Sequence, residues 1–284
     1  MTIAYVNGEF LPAESAQLSI FDRGLLFADA VYEVAAVVQQ RLLDNPAHLT
    51  RLRCSLDMIQ LPLTLTDETL VAIQQELIAR NHLQEGLVYT MITRGPALRQ
   101  FALPETAKPS VVLFTQPAHI LQNPKRDSGI QVITTPDIRW LRRDIKTVAL
   151  LAQSLAKQQA INSGVDDAWF VQDGVITEGT SNNAFIITHD NVLYTHPKNH
   201  YILGGITRQA ILDISATLGL AVCEQGFTPE QAYAAKEAFS SSATTLLMPV
   251  IQIDGHLIGN GRVGPLCQTI YQRYLEKYIY SNPR

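Results

Sequence analysis

The chain has 284 residues, 46% hydrophobic and 17% charged, with a formal net charge of -4. That length buries one large core or two medium ones, and the charge gives no broad attraction to nucleic acid or anionic membrane, which favours a small-molecule partner. Cys54, Cys223 and Cys267 lie far apart with no CxxC pair, which argues against a disulfide framework or zinc cage and predicts buried free thiols.

Tyr5 and Val6 run into Asn7-Gly8, a type I′ turn signal, and Glu9 and Phe10 run out, predicting a hairpin. MTIAYVNGEF lacks the basic and apolar regions of a secretory leader, and no apolar run reaches bilayer length, so a cytoplasmic protein is expected. AVYEVAAVV alternates Tyr32 and Val34 with Glu33, as a partly buried strand would. HLTRLRCSLDMIQ and DETLVAIQQELIARNHL have helical spacing, the second introduced by Thr66 as N-cap with Asp67 and Glu68 in its first turn. GLVYTMITRG and PSVVLFTQ return to strand character. Residues 1–117 therefore read as a smaller N-terminal domain, and the proline-bearing, aperiodic stretch 118–125 as a linker.

Residues 126–284 read as a larger domain. GIQVITTPDIRW predicts a strand and TVALLAQSLAKQQAINSG a helix closed by Asn162 and Gly164. AWFVQ and VITEG flank Asp173-Gly174, and NAFIIT and VLYTHP flank a short polar turn, giving consecutive hairpins. Gly204-Gly205-Ile206-Thr207 precedes the helix RQAILDISATLGL, and Thr228, Pro229 and Gln231 form a capping box with an N1 proline. SSSATTLLMPVIQI, a hairpin at Asp254-Gly255 and the helix PLCQTIYQRYLEKYI follow. Hairpins with interspersed helices predict an α+β fold with a mixed, largely antiparallel second half.

GNGRVG, from Gly259 to Gly264, matches GxGxxG but lacks the following strand and acidic residue of a dinucleotide fold, so it reads as loop punctuation rather than a nucleotide-binding dehydrogenase site. Ser154 and Lys157 form an SxxK pair without its companion motifs, and no histidines form HExxH, so neither a serine acyl enzyme nor a metal site is expected. GGIT before a helix offers an anion site, which Arg51 could complete. Lys146 falls at a strand-to-helix join, where the positive end of the helix would disfavour an ammonium. An amine there, a carboxylate at Glu178 beside the TSNN cluster and an anion turn are the three attachments that pyridoxal phosphate requires.

The segments DRGLLFADAVYEV, RWLRRDIKT, ITEGTSNNAF and YILGGITR together resemble the fold-type IV (class IV) pyridoxal-phosphate-dependent aminotransferases, closest to their D-amino-acid transaminase branch, in order over essentially the whole chain. The resemblance implies a two-domain enzyme with a smaller N-terminal α/β domain and a larger C-terminal mixed-sheet, pseudo-barrel domain, acting as a homodimer with an active site bordered by both subunits. It implies that Lys146 forms the internal Schiff base with pyridoxal 5'-phosphate and shuttles the proton at Cα. Glu178 would face the pyridine nitrogen; Arg51, Ile206, Thr207, Ala243 and Thr244 would hold the phosphate; Leu203 would pack on the ring, with Ser181 and Asn183 in its polar surround. The implied reaction is ping-pong transfer of the amino group from a D-amino acid to a 2-oxo acid.

The resemblance implies that the substrate carboxylate is held by Tyr32 and by an arginine and a histidine two residues apart that the partner subunit contributes; Arg99 matches the arginine, but Phe101 stands where the histidine is usual. That change points to an (R)-selective primary amine transaminase as the alternative. Branched-chain aminotransferase and aminodeoxychorismate lyase share the scaffold with a poorer match at RWLRRDIKT. Arg143 is a further candidate cation for the substrate carboxylate.

Overall fold

The structure, a computed structural model, describes residues 2–106 and 108–281. It divides into two compact units: residues 1–120 with 145–149, and residues 121–144 with 150–284. The expected assignment of everything from 126 onward to one domain is thereby corrected. Ile145–Ala149, including Lys146, belongs with the first unit.

The first unit contains β1 (Ile3–Val6), β2 (Glu9–Pro12), α1 (Arg23–Phe27), β3 (Ala30–Val38), β4 (Arg41–Leu42), α2 (Asn45–Met58), α3 (Asp67–Arg80), β5 (Glu85–Thr93) and β6 (Ser110–Pro117). Asn7 and Gly8 turn β1 into β2 with φ of 50° and 110°, the left-handed conformation that Asn-Gly supplies cheaply. The strands form one antiparallel sheet in the order β2-β1-β6-β5-β3-β4. Strand alternation sends Val31, Val37, Val88, Ile92 and Leu113 into one core with Leu49, Leu52 and Leu56 of α2 and Leu70 and Leu77 of α3. Each such side chain contributes roughly 1.5–3 kcal/mol by leaving water.

Tyr32, Val34, Tyr89 and Phe114 fall on the half-buried opposite face. Glu33 therefore lies on the core side, only 2% exposed. The alternation in the sequence separates the two faces of this strand without saying that the acid takes the inner one. Thr66 caps α3, its hydroxyl accepting from the Thr69 N–H at 3.2 Å.

The second unit contains α4 (Lys125–Ser128), β7 (Ile130–Pro136), α5 (Leu151–Asn162), β8 (Asp167–Gln172), β9 (Val175–Gly179), β10 (Asn183–Ile187), β11 (Val192–Thr195), α6 (Ile206–Thr217), β12 (Ala221–Cys223), α7 (Pro229–Tyr233), β13 (Glu237–Ser242), β14 (Leu246–Ile253), β15 (His256–Leu257) and α8 (Pro265–Tyr274). The main sheet path is β12-β11-β10-β13-β14-β7-β8-β9, with β15 on β14. Parallel pairs at β11/β12, β14/β7 and β7/β8 make the sheet mixed, and β9 curls back beside β10. Trp169, Ile176, Phe227, Val250 and Ile253 fill its core. Thr228 and Gln231 close the predicted capping box on α7.

Three local expectations change. β7 ends at Pro136, so Asp137–Trp140 is not strand, and α5 starts at Leu151 rather than at Thr147. Of the three thiols only Cys267 is buried, Cys223 being intermediate and Cys54 exposed. GNGRVG is a turn joining β15 to α8; a Cβ at Gly259 would come 2.6 Å from the Lys236 carbonyl, so close packing accounts for that glycine. Among the described residues no helix is long and apolar enough to cross a membrane, and no cluster of three His, Cys, Asp or Glu side chains could hold a metal.

Candidate active site

In the first unit, β4 covers only Val37 and Val38 on one edge of β3, leaving the earlier part of that edge for another segment. Ile145–Ala149 fills it. The Tyr32 N–H donates to the Lys146 carbonyl at 2.9 Å, the Val148 N–H to the Ala30 carbonyl at 3.3 Å, and Val31 bridges Thr147. Ile145 is buried in the first unit's core, and the Lys146 N–H donates to Ser55 Oγ at 3.3 Å. Lys146 is thus held against β3 by its backbone, at the centre of a tight turn in which the Thr147 N–H donates to the Ile145 carbonyl at 2.8 Å, before the helix rather than at its dipole, which corrects the reason for singling it out.

The Lys146 amine lies 4.3 Å from the centroid of the Tyr32 ring. That ring stacks on Tyr89 at 5.0 Å, and Tyr89 on Phe114 at 4.8 Å, so the lysine stands at the end of an aromatic row. An aromatic face attracts a cation. Burial, with the neighbouring Tyr32, pushes the Tyr89 hydroxyl above its usual range, so it stays protonated at ordinary pH.

One residue on, Glu33 Oε1 accepts from Arg51 Nε at 2.7 Å and Oε2 from Arg51 Nη2 at 2.8 Å, while His48 Nδ1 lies 2.8 Å from Oε2. His48 and Arg51 are three apart on α2 and so project together onto this carboxylate. Burial raises the carboxyl's pKa, but the Arg51 charge and hydrogen bonds, then His48 and the Lys146 charge, overcome that and hold it at about 2.

Arg99 and Phe101 also meet. The Arg99 guanidinium lies 5.6 Å from the Phe27 ring centroid and 5.8 Å from that of Phe101, and the two rings meet edge-on. Phe101 is 83% exposed. Arg23, ion-paired with Asp29 at 2.8 Å, donates from Nη1 to the Gln100 carbonyl at 2.6 Å, fixing the backbone just before Phe101. Among the described residues no hydrogen bond, ion pair or ring contact joins Arg99 or Phe101 to Tyr32 or Lys146.

In the second unit, Glu178 on β9 is the centre of a buried polar network. Arg139 Nη1 donates to its Oε1 at 2.5 Å, and Asn183 Nδ2 and the Leu203 N–H to its Oε2 at 3.1 and 3.0 Å. A carboxylate offers about four lone-pair positions, and these three donors leave room for another. Burial pushes the Glu178 carboxyl up, against the Arg139 charge and the Leu203 amide. Arg139 is gripped in turn by both oxygens of Asp137, at 2.9 and 2.7 Å, and lies over Phe170. Arg143 is committed to Asp137 at 3.2 Å and to Gln172 at 2.6 Å, with a side chain 2% exposed. That removes it as a candidate cation for a substrate carboxylate.

Asn183 also donates to the Leu203 carbonyl at 2.9 Å, and a Cβ at Gly205 would meet its Oδ1 at 2.2 Å. A side chain there would have to displace Asn183. Gly205 is also the N-cap of α6 and provides no side-chain cap, so the first amides, at Ile206 and Thr207, begin the helix without one. Ser181 is exposed and outside the Glu178 network. Ala243 and Thr244 lie half-buried in the β13–β14 turn; Ser242 Oγ is 2.8 Å from Thr245 Oγ1 and accepts the Thr245 N–H at 3.1 Å, so that hydroxyl is spent on the turn.

The family model described as amino-transferase class IV matches residues 30–253. The chain belongs to the class IV aminotransferases. It is 36% identical to the D-alanine aminotransferase of Staphylococcus epidermidis over 283 residues, 99% of each chain. The Escherichia coli branched-chain amino acid aminotransferase superposes with a TM-score of 0.91 at 23% identity, covering 99% of this chain and 96% of that one. A hypothetical aminotransferase from Mycobacterium tuberculosis, in its PLP-bound form, gives 0.85 at 21% identity, covering 99% of this chain and 100% of that one.

This class IV aminotransferase thus has the fold-type IV architecture, and its activity is transamination. Sequence reasoning missed four of its buried polar residues. Glu33 and His48 were detectable, since an acid within a valine-rich strand needs partners and His48 and Arg51 share a helix face. Asp137 and Arg139 carried no such signal, because a strand was expected to run through them.

Proposed function

We propose that this aminotransferase uses pyridoxal 5'-phosphate to move the amino group of a D-amino acid to a 2-oxo acid by a ping-pong cycle. The observation carrying the reading is Glu178: a buried carboxylate, backed by Arg139 and with acceptor capacity remaining, suits a protonated ring nitrogen. The donor set fits the cofactor in other respects. Lys146 offers a primary amine for its aldehyde; Arg51 in the first unit is a cation of the kind that binds a phosphate, and in the second unit the uncapped amides of Ile206 and Thr207 suit an anion, a role we assign also to the Ala243 N–H and Thr244.

When bound, the cofactor supplies an aldehyde that takes up the amine and a ring that withdraws the electrons left at Cα. Lys146 would hold it and, once released by substrate, accept the Cα proton and return it. Glu178 would keep a proton on the ring nitrogen, with Asn183 orienting the carboxylate and Leu203 packing on the ring. Tyr32, with the partner subunit's Arg99, would orient the substrate carboxylate. We read the enzyme as a cytoplasmic homodimer. The exposed thiol of Cys54 suits a reducing compartment, and exposed Leu98, Phe101, Ile20 and Leu25, at 77%, 83%, 72% and 72%, suit burial against a second copy.

A second reading, an (R)-selective amine transaminase, is favoured by the Phe101 ring beside Arg99, which adds apolar surface where a hydrogen-bond donor was expected. Cofactor absorbance followed after adding D-alanine, D-glutamate, L-leucine or (R)-1-phenylethylamine tests both. Bleaching by the D-amino acids supports the first reading, and bleaching by the amine alone the second. Bleaching by L-leucine alone overturns the stereochemical assignment.

A further inference from the structure

Two of the proposed cofactor attachments are anchored by consecutive residues of β3. Tyr32 binds the Lys146 backbone at 2.9 Å and places its ring 4.3 Å from the amine. Glu33, pointing to the other face, receives Nε and Nη2 of Arg51 in a bidentate fork at 2.7 and 2.8 Å. Its side chain is 3% exposed, against 14% for that of Arg51. A carboxylate within a strand of valines is costly to bury, and this one is compensated by Arg51 and His48.

We infer that Glu33 is a positioning residue for anion binding: it holds the Arg51 guanidinium in the single orientation that receives the cofactor's phosphate. The inference rests on the pyridoxal phosphate reading above. Arg51 is a long side chain with many rotamers, and a phosphate that had to order it would bind less tightly. The bidentate pair fixes the plane of the guanidinium in advance. His48 fixes the carboxylate in turn, so the chain of support runs from α2 to β3 and back. Because residues 32 and 33 are adjacent, the backbone of one strand sets the relation between the amine's segment and the phosphate's arginine.

Pyridoxal, which has the aldehyde without the phosphate, separates this role from a general one. Affinities of the cofactor-free protein for pyridoxal phosphate and for pyridoxal, measured by absorbance titration, are compared in wild type, Glu33→Gln and Arg51→Ala. Glu33→Gln is expected to weaken pyridoxal phosphate about tenfold and leave pyridoxal unchanged. Equal losses for both ligands would overturn the inference, since Glu33 would then serve the lysine or the fold at large. No loss in Glu33→Gln alongside a phosphate-selective loss in Arg51→Ala would overturn it while leaving the cofactor reading intact. No phosphate-selective loss in Arg51→Ala would instead remove Arg51 from that reading, and the inference with it. His48→Gln, which keeps the Glu33 charge and removes its third contact, gives the same comparison if Glu33→Gln does not fold: a loss of about threefold confined to pyridoxal phosphate supports the role, and an equal or absent loss overturns it.

Discussion

Arg139 Nη1 lies 2.5 Å from Glu178 Oε1, and the two side chains are 5% and 6% exposed. An ion pair this deep is most informative when one partner is removed. Arg139→Met keeps much of the volume and leaves Glu178 buried without its cation. We expect a loss of about 3–5 kcal/mol in urea denaturation, with Glu178→Gln recovering part of it in the double variant. A loss below about 1 kcal/mol would show that the network tolerates an uncompensated carboxylate.

Lys146→Ala should fold, because the segment is held on β3 by its backbone and by Ile145. Far-UV circular dichroism is expected to match wild type while transamination falls by on the order of 10³-fold or more. Wild-type turnover would remove Lys146 from the proton transfer.

Gly205→Ala places a methyl group 2.2 Å from Asn183 Oδ1, so Asn183 must move and Glu178 loses an aligned donor. The expected cost is about 1–3 kcal/mol of stability, with weaker cofactor retention on gel filtration. Unchanged retention would show that Asn183 does not help to orient Glu178.

Acid should weaken the first unit through Glu33. Its carboxyl titrates at about 2 when folded, against an ordinary 4.5, so the folded state gives up that proton more readily than the unfolded chain. The stabilisation, on the order of 3 kcal/mol, is complete above the ordinary value and is lost as pH falls from there toward the folded one. Asp29 and Asp137, also held below their usual range against the effect of burial by Arg94 and Arg23 and by Arg139, act in the same direction. The stability difference between wild type and Glu33→Gln should therefore shrink steadily over that pH range. A constant difference would mean that the Glu33 charge is not what stabilises the site.

Phe101→His restores a donor beside Arg99 at a position whose preceding carbonyl Arg23 already holds. Efficiency on D-alanine relative to (R)-1-phenylethylamine is expected to rise about tenfold, the worth of one hydrogen bond to a charged group. An unchanged ratio would show that position 101 does not set selectivity.

Elements with strong local signals were legible in the sequence. The Asn7-Gly8 turn, the Thr66 cap and the Thr228 capping box all encode backbone geometry in side chains only a few residues away. Glu178 and Lys146 could be singled out, but their surroundings could not. Arg139 reaches Glu178 across 39 positions, and Ile145–Ala149 pairs with a strand more than a hundred residues earlier. Nothing local records such pairings. The role of Glu33 is hidden for a related reason: alternation identifies two faces of a strand, but an acid on the inner one becomes intelligible only when α2 delivers His48 and Arg51 to it.

The chain passes from one unit to the other after Ile120, again after Asp144 and once more after Ala149. Neither unit is therefore a continuous stretch of polypeptide. A gene split at position 120 would give a leading fragment with an unfilled gap along β3 and a trailing fragment carrying the lysine with nothing to brace it. Reconstituting the enzyme from two such halves requires one of them to thread a five-residue ribbon back into the other.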